Sequence, residues 1–556
     1  MKKLTTVIIL IILSVTNNIY SAVDSTTLNS SSITSNITLN RSTSYIMKGF
    51  SYVKNGSTLT IEAGTKIFGD FDTKGTLIIE RGAKIYANGN SGDPILFTSR
   101  KPVGQRNAGD WGGIIILGRS GINTSTVNNT DSAEIEGFGP GLGPVYGGQP
   151  RVDADSSGVL RYVRIEFPGV NLTGLSGNEI NGLTMGGLGS RTVIEYVQVS
   201  YSGDDSFEWF GGNVNCKYLV AYKGLDDDFD CDNGFRGRVQ FGLSVRDSAI
   251  ADASSSNGFE IDNNVNTPSN FNSPRTKVIF SNITLVGPFI TTSSTANPLF
   301  QRGGHLRRNM LASVYNSVIM GWKVGFRFDG AGVGNAASSD SIQIRNCILA
   351  GNLRLADSTG TGSFAPQQWL QTPSYSNTVF SENSSVQLTS PYNIYPDVPL
   401  PANNVSNWIP LSNSPALSGS DFTNPNLSGF QQVSFRGAFG ADNWTSAWTQ
   451  FNPKNYLVIG INQISNVVPV EFSLGQNYPN PFNPSTIIRY NLTSAGNINL
   501  RVFDVNGKEV VTLVDQKQIA GTYEVDFNGG NLSSGIYFYR LKAGSLTDTK
   551  RMILLK

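Results

Sequence analysis

Two acidic segments of the chain match each other and carry side chains suited to binding a cation. Residues 204–212 (DDSFEWFGG) align with 226–234 (DDDFDCDNG) at a shift of 22 residues. A third, partial copy is GFEIDN at 258–263, and a weaker one, with arginine at an acidic position, is FRFDG at 326–330. A motif that recurs along the chain is typical of coils that stack on one another.

Stacking would bring the matched carboxylates close together. Neighbouring strands lie about 4.8 Å apart, so like charges on adjacent rungs repel unless they bind protons or a counterion. Calcium is plentiful outside the cell and takes about six to eight oxygen ligands. We therefore predict a Ca²⁺ site formed by Asp204, Asp205, Glu208, Asp226, Asp227, Asp228, Asp230, Asp232, Glu260 and Asp262.

Two other interpretations of these acids stay open. They could form a solvated face with salt bridges to Arg236, Arg238 and Arg246, or a catalytic carboxylate group. The phenylalanines at matching positions predict a stacked core ladder rather than a ligand platform; they are Phe207, Phe229 and Phe259.

The chain has one histidine, His305, which limits the catalytic chemistry that it can support. No nucleophile-elbow motif lies near it, and a histidine-based metal site lacks partners, so we predict a surface or packing role. An acid-based enzyme using Asp204, Asp205 and Asp227 with Arg302 or Arg307 remains an alternative. Acid pairs that recur on successive turns favour a structural role, since a catalytic pair usually occurs once. The protein is therefore expected not to be an enzyme.

Short apolar runs separated by turn residues predict the elements that hold these acids. TLTIEAGTKI at 58–67 matches TLIIERGAKI at 76–85 at a shift of 18 residues, which indicates a solenoid. Further runs, such as 114–117, 193–197 and 342–349, continue the pattern without any long helical period. We predict an all-β chain with a right-handed parallel β-helix; an array of immunoglobulin-like sandwiches is the rival.

Composition and the chain start bound the class of protein. The 60 glycines and only 15% charged residues suit many short strands, and a net charge of +1 does not favour nucleic acid. Lys2 and Lys3 followed by a short apolar run predict a signal peptide, and no further stretch resembles a membrane span. The expected domains are 1–22 signal peptide, 23–41 polar lead-in, 42–352 β-helix, 353–451 loop-rich capping region, 452–467 linker and 468–556 C-terminal domain.

The three cysteines leave two possibilities. Cys216 and Cys231 are close enough in sequence to pair in an exported protein, with Cys347 left over. Alternatively, all three are buried thiols, and their spacing fits no zinc motif.

The C-terminal ninety residues contain several family motifs in order. They are NYPNPFNPST at 477–486, VFDVNGKEV at 502–510, SGIYFYRL at 534–541 and TKRMILLK at 549–556. This region resembles the type A C-terminal sorting domain of type IX secretion, found in the Bacteroidetes–Chlorobi–Ignavibacteria group. The resemblance implies a small immunoglobulin-like β-sandwich that the export machinery recognises and cuts off, with the cargo released or attached to a surface glycolipid.

The body carries its own resemblance. GDWGGI at 109–114, YVRIEF at 162–167, EINGLT at 179–184 and EWFGG at 208–212 are similar to β-helical surface proteins of the same bacterial group. This resemblance implies a fold but no activity.

Together these features predict a secreted or cell-surface protein exported by type IX secretion. Its body is expected to be a structural or adhesive β-helix, stabilised by calcium. The alternative is a β-helix that binds or degrades polysaccharide as a lyase or hydrolase. Expected partners are the secretion machinery, and then a surface glycolipid, extracellular polysaccharide or further copies of the chain.

Overall fold

The protein is described by a computed structural model that covers most of the chain. The described residues are 25–29, 32–101, 104–124, 131–138, 141–172, 179–264, 269–393, 407–454, 461–465, 469–483, 485–518, 520–529 and 532–556. The predicted signal peptide lies outside them. Within these ranges, no helix is both long and apolar enough to cross a bilayer.

The body consists of parallel strands arranged in two long sheets, and the larger sheet is called the long sheet here. Parallel strands need crossover connections, which the coils of a solenoid provide. The strands of the long sheet are Ser25–Leu28, Ile37–Leu39, Ser44–Met47, Thr58–Ile61, Lys66–Gly69, Lys84–Asn88, Ile95–Ser99, Gly158–Glu166, Val193–Ser200, Asn215–Tyr222, Arg238–Val245, Ile279–Val286, Ser313–Tyr315, Val318–Met320, Ile344–Arg345, Ile348–Ala350 and Thr378–Phe380.

The other body sheet, called the second sheet, carries the acidic motifs. Its strands are Ser32–Ile33, Phe50–Val53, Thr76–Ile79, Gly113–Leu117, Leu183–Gly186, Phe207–Phe210, Phe229–Asp232, Asn257–Ile261, Arg302–Leu306, Val324–Asp329 and Arg354–Thr359. All of them pair in parallel, in chain order. The body is therefore a parallel β-helix, as predicted.

A few short elements lie between the coils. A two-stranded antiparallel hairpin is formed by Ser132–Glu134 and Val145–Gly147. The described helices are Ala331–Ser338 and Pro366–Leu370, with single 3₁₀ turns at Pro373–Tyr375, Asn383–Val386, Pro415–Leu417 and Pro425–Leu427.

The register of the coils confirms one sequence repeat and contradicts the other. Phe207 pairs with Phe229, which is the predicted shift of 22 residues. Thr58, however, pairs with Lys84 at a shift of 26, and Thr76 lies in the other sheet. The 18-residue match was therefore wrong as a coil length. Both copies encode the same local structure, an apolar strand followed by a turn at a glycine. The first strand of the first copy lies in the long sheet, and that of the second copy lies in the second sheet.

The inside of the coil stack is a continuous apolar core. The predicted phenylalanine ladder is confirmed: Phe207, Phe229 and Phe259 are completely buried, with ring centroids 5.7 and 5.8 Å apart. The three cysteines are buried free thiols. Burying such rings stabilises each coil only when its neighbour is in place, which ties the rungs together.

The stack extends beyond both limits expected from the sequence. Strands begin at Ser25, within the expected polar lead-in, and continue to Phe380. The C-terminal end is covered by Phe364 and Trp369, whose rings lie 5.1 and 5.4 Å from that of Phe328. These residues belong to the expected capping region.

Residues 407–454, called the strap, lie along the side of the stack instead of closing its end. Gln198 accepts from the backbone N–H of Gln450 at 2.8 Å and donates to its carbonyl at 2.8 Å. Gln240 makes the same pair of bonds with Gln431, at 2.9 and 2.7 Å. The strap therefore covers the long sheet, whose outer face would otherwise expose apolar surface.

The C-terminal domain consists of two four-stranded antiparallel sheets. One contains Ile461–Ser465, Ser473–Leu474, Ser485–Leu492 and Gly521–Asn528, and the other contains Gly496–Phe503, Glu509–Gln518, Gly535–Ala543 and Leu546–Leu554. Side chains of both sheets form one buried cluster that includes Tyr490, Leu500, Val525 and Tyr539. A shared core between two sheets is the arrangement of a β-sandwich.

Candidate functional site

Three carboxylates form a column on the outer face of the second sheet. Because side chains alternate along a strand, the residue after each core phenylalanine points away from the core. Glu208 is directly opposite Asp230, which is opposite Glu260. These three residues are called the acidic ladder.

A second column of acids precedes the ladder by three positions. Asp205 accepts a hydrogen bond through Oδ1 from the backbone N–H of Asp227 at 2.7 Å. Asp227 accepts in turn from the backbone N–H of Asn257. Each carboxylate is thus held in place by a backbone N–H of the next coil.

The two columns converge into three overlapping groups of oxygens. Within each group, one oxygen from every carboxylate lies within 4.8 Å of the others. The groups are Asp204–Asp205–Asp226, Asp205–Glu208–Asp230 and Asp227–Asp230–Glu260. Neighbouring groups share one carboxylate, Asp205 or Asp230.

Burial and mutual repulsion make these acids hard to ionise. Burial, followed by the charges of neighbouring carboxylates, raises the pKa of Asp205, Glu208 and Asp230 well above the ordinary value. Burial likewise raises the pKa of Asp226 to about 7, although a hydrogen bond from Ser254 opposes the rise. A bound cation would remove the repulsion and let these groups ionise.

Basic residues compensate the charge at one end of the ladder. His305 follows Glu260 in register, with Nδ1 3.2 Å from Glu260 Oε1, and Nε2 3.4 Å from Asp329 Oδ2. Arg307 pairs with Glu260, and with Asp262 at 2.6 Å. Burial pushes the pKa of Glu260 upward, but the hydrogen bond from His305 and the charge of Arg307 outweigh it and lower the pKa.

The opposite end has less compensation: the charge of Arg246 opposes the rise in the pKa of Asp226 and Asp227, but its ion pair is with Asp228. Among the described residues, no ion pair involves Asp204, Asp205, Glu208, Asp227 or Asp230. The acidic ladder is therefore compensated by basic residues at Glu260 and has no ion-pair partner at Glu208 or Asp230 among the described residues.

Several oxygens beside the ladder lack hydrogen-bond partners among the described residues. They are Thr184 Oγ1, Asn181 Oδ1, Asn257 Oδ1 and Asp230 Oδ1. Thr184 is opposite Glu208 in register and is 1% exposed. The amide of Asn181 donates to Glu208, and that of Asn257 donates to Glu260 at 3.3 Å. Buried oxygens without partners are costly unless a ligand satisfies them.

Loops cover the ladder. Glu208 is 4% exposed and Asp227 is 3% exposed, although both are on the outer face of the sheet. Glu136, beside the hairpin, reaches Asn181 at 3.4 Å. Glu136 is exposed as a whole residue, but burial of its carboxyl group raises the pKa of that group.

The structure separates the ten predicted ligands into two sets. Seven belong to the three oxygen groups: Asp204, Asp205, Glu208, Asp226, Asp227, Asp230 and Glu260. Asp228, Asp232 and Asp262 do not. Asp228 is fully buried in an ion pair with Arg246 at 2.9 Å, as the salt-bridge interpretation expected for that arginine. Asp262 pairs with Arg307 and Arg308, and Asp232 accepts from the N–H of Asn233.

Arg236 and Arg238, the other expected salt-bridge partners, lie elsewhere. Arg236 is 3.5 Å from Asp153, and Arg238 lies over the ring of Phe430. The prediction that they neutralise the acidic motifs is wrong.

Sequence comparison identifies both parts of the chain. A parallel β-helix followed by a secretion domain defines an exported solenoid protein. Residues 31–386 match the family described as the pectate-lyase like beta helix domain, and the chain belongs to that family. Residues 476–555 match the secretion system C-terminal sorting domain. The protein is thus secreted or on the cell surface, and its tail interacts with the type IX secretion machinery.

Other comparisons add little. No curated protein matches the chain. One solved structure that the comparison aligns with this chain is the catalytic domain of a GH87 alpha-1,3-glucanase in complex with tetrasaccharides. The identity is 11% and the TM-score is 0.23, over 65% of this chain and 64% of that one.

Proposed function

We propose that the body is a structural or adhesive β-helix that acts outside the cell and is stabilised by calcium at the acidic ladder. The observation that supports this most strongly is the set of three carboxylate groups that share Asp205 and Asp230. Oxygens at this spacing suit a hard cation that bridges adjacent coils.

The donor set fits calcium better than a softer metal. Carboxylates provide all the charge, and the amide and hydroxyl oxygens of Asn181, Asn257 and Thr184 have no hydrogen-bond partner within the described part of the chain. Calcium accepts this mixture in irregular geometry, whereas zinc prefers nitrogen and sulfur. The sulfur of Cys231, the residue after Asp230, belongs to the core.

The covering of the ladder supports a structural role. A catalytic carboxylate has to reach its substrate, but Asp205 is 8% exposed and Glu208 only 4%. A cation at this position would join strands that are far apart in sequence and stabilise the folded chain by mass action.

Thermal unfolding of the full chain tests the proposal. Purified protein is dialysed against chelator and then melted with calcium at about 1 mM, within the affinity range of extracellular calcium modules. We expect calcium to raise Tm by about 1–3 °C for each site that binds, and magnesium to have a smaller effect. An unchanged Tm in calcium would rule the proposal out.

A polysaccharide-active β-helix is the second candidate, favoured by the basic end of the ladder. Arg307 is 27% exposed and Asp329 is 38% exposed, so this end is reachable by a ligand, and His305 lies between Asp329 and Glu260. Incubation with a panel of acidic and neutral glycans, followed by product analysis, decides between the candidates. New reducing ends or unsaturated products would replace the structural proposal with an enzymatic one.

A further inference from the structure

One face of the C-terminal domain carries an excess of positive charge. In the strands Gly496–Phe503 and Gly535–Ala543, alternate side chains enter the domain core. The others point outward and include Arg501, Arg540 and Lys542. This outward surface is called the basic face.

The pairing of the strands places like charges opposite each other. Arg501 is the direct cross-strand partner of Arg540, and Lys542 follows two residues later on the same side. Like charges directly opposite each other destabilise a sheet. Arg501 forms an ion pair with Glu509 at 2.9 Å. Among the described residues, neither Arg540 nor Lys542 forms an ion pair, so the face remains positive.

Apolar and aromatic groups are interleaved with these cations. The guanidinium carbon of Arg540 lies 5.0 Å from the centre of the Phe503 ring. Phe538 is directly opposite Phe503, and it is 36% exposed. Ile536, on the same strand, is 40% exposed. Arginine and aromatic side chains together are the composition of protein–protein hot spots.

The basic face is concave. A depression of about 560 Å³ lies over the outward face of the two paired strands and is lined by Arg501, Phe503, Arg540 and Lys542, among others. A concavity can accept a protruding side chain of a partner, whereas a flat lipid surface is better met by projecting lysines. Arginine also binds carboxylates in a bidentate geometry that lysine cannot match.

We propose that the basic face is the surface by which this domain docks onto the type IX secretion machinery, and that the matching surface of the machinery is acidic. The sorting-domain match establishes that the machinery is a partner, and the charge and shape of this face indicate where the contact is made. Opposite charges would speed the encounter and fix its orientation. This inference does not depend on the calcium proposal.

Export of charge-reversed full-length chains tests the proposal. In a bacterium that has a type IX system, Arg540→Glu/Lys542→Glu should reduce the protein in the medium and on the surface about tenfold or more, with accumulation in the periplasm. Arg540→Lys keeps the charge but loses the bidentate geometry, so its export should lie between that of the parent and that of the double variant. The control, Arg191→Glu/Lys277→Glu, makes the same charge change on exposed residues of the body and should be exported normally.

Folding of the variants is measured separately. If the double variant melts earlier than the parent, the exposed single variant Lys542→Glu replaces it. Normal export of a folded basic-face variant, or equal loss in the body control, would overturn the proposal. Purified parent protein is also mixed with vesicles of anionic and of neutral phospholipid. Binding to the anionic vesicles that the double variant abolishes, with its export unaffected, would assign the face to a membrane surface instead.

Discussion

Asp230 occupies a position where two oxygen groups meet. It is opposite Glu208 on one side and Glu260 on the other, and its Oδ1 has no hydrogen-bond partner among the described residues. Its negative charge therefore destabilises the folded chain when no cation is bound and stabilises it when a cation is bound. The effect of replacing it should change sign with calcium.

Asp230→Asn is the first prediction. Without calcium the variant should melt at a higher temperature than the parent, since the amide removes repulsion from Glu208 and Glu260. With calcium it should melt at a lower temperature, because two groups lose a shared ligand. Differential scanning calorimetry measures both, with the exposed Asp72→Asn as control. An equal calcium shift in Asp230→Asn and the parent would contradict the prediction.

The buried pair of Asp228 and Arg246 provides a residue-scale contrast. Both side chains are fully buried, and Arg246 also donates to the carbonyl of Gly224 at 2.9 Å. Burial raises the pKa of Asp228 to about 6, although the charge of Arg246 opposes the rise. This pair is part of the structure of the coil. Asp228 belongs to none of the oxygen groups, whereas Arg246 also donates to the backbone carbonyl of Asp226.

Arg246→Met should lower the free energy of unfolding by about 3–5 kcal/mol, because it leaves Asp228 buried without a counter-charge. Denaturant titration measures the loss, which should be the same with and without calcium. Adding Asp228→Asn to this variant should recover part of the stability. A loss that disappears when calcium is added would show that the pair is coupled to the ladder.

At the scale of elements, side-chain amides hold the strap on the long sheet. Gln198 and Gln240 each form two hydrogen bonds with the backbone of one strap residue, as a neighbouring strand would. Beneath the strap, Tyr162, Tyr196 and Tyr218 form a stack with ring centroids 4.4 and 4.3 Å apart. The strap thus replaces water over a row of aromatic rings.

Gln198→Ala should loosen the strap by leaving both backbone groups of Gln450 without partners, at a local cost of about 1–3 kcal/mol. Limited proteolysis with mass spectrometry should then detect faster cleavage within residues 407–454. Gln432→Ala, an exposed strap position, is the matched control. Equal cleavage rates in both variants would indicate that the amide bonds do not hold the strap.

At the scale of the whole molecule, the raised pKa values link stability to pH. In the folded chain, burial raises the pKa of Asp226 to about 7 and the pKa values of Asp205, Glu208 and Asp230 well above the ordinary value, whereas in the unfolded chain these groups release their protons near pH 4. Stability therefore falls as pH rises through this window, because the folded state binds more protons.

Without calcium, Tm should decrease from about pH 5 to about pH 8, and saturating calcium should remove most of this decrease. The lowered pKa values of Asp329 and Asp357 do not interfere, because their contribution is lost only in more acidic solution. Melting at several pH values, with and without calcium, measures the effect. A Tm that rises steadily with pH in calcium-free buffer would contradict the assignment.

The candidate site was predictable where coils are equal in length. The 22-residue match placed Glu208 next to Asp230, because two coils without insertions repeat their register residue by residue. It could not identify Glu136, which comes from an inserted segment, or His305, which lies 45 residues after Glu260. Asn181 and Thr184 also gave no signal, since a single amide or hydroxyl carries no recognisable spacing.

The sequence by itself determined the parallel stack, the secretion tail and the acidic character of three consecutive coils. These depend on local pattern, such as apolar alternation, turn residues and motif order. Only the tertiary structure decided coil lengths, the side position of the strap and which acids meet. Those features depend on the way in which the inserted segments fold back over the sheets. They also depend on which basic or acidic side chain each insertion places next to a rung. The energy of these contacts comes from residues far apart in the chain, so no local pattern encodes them.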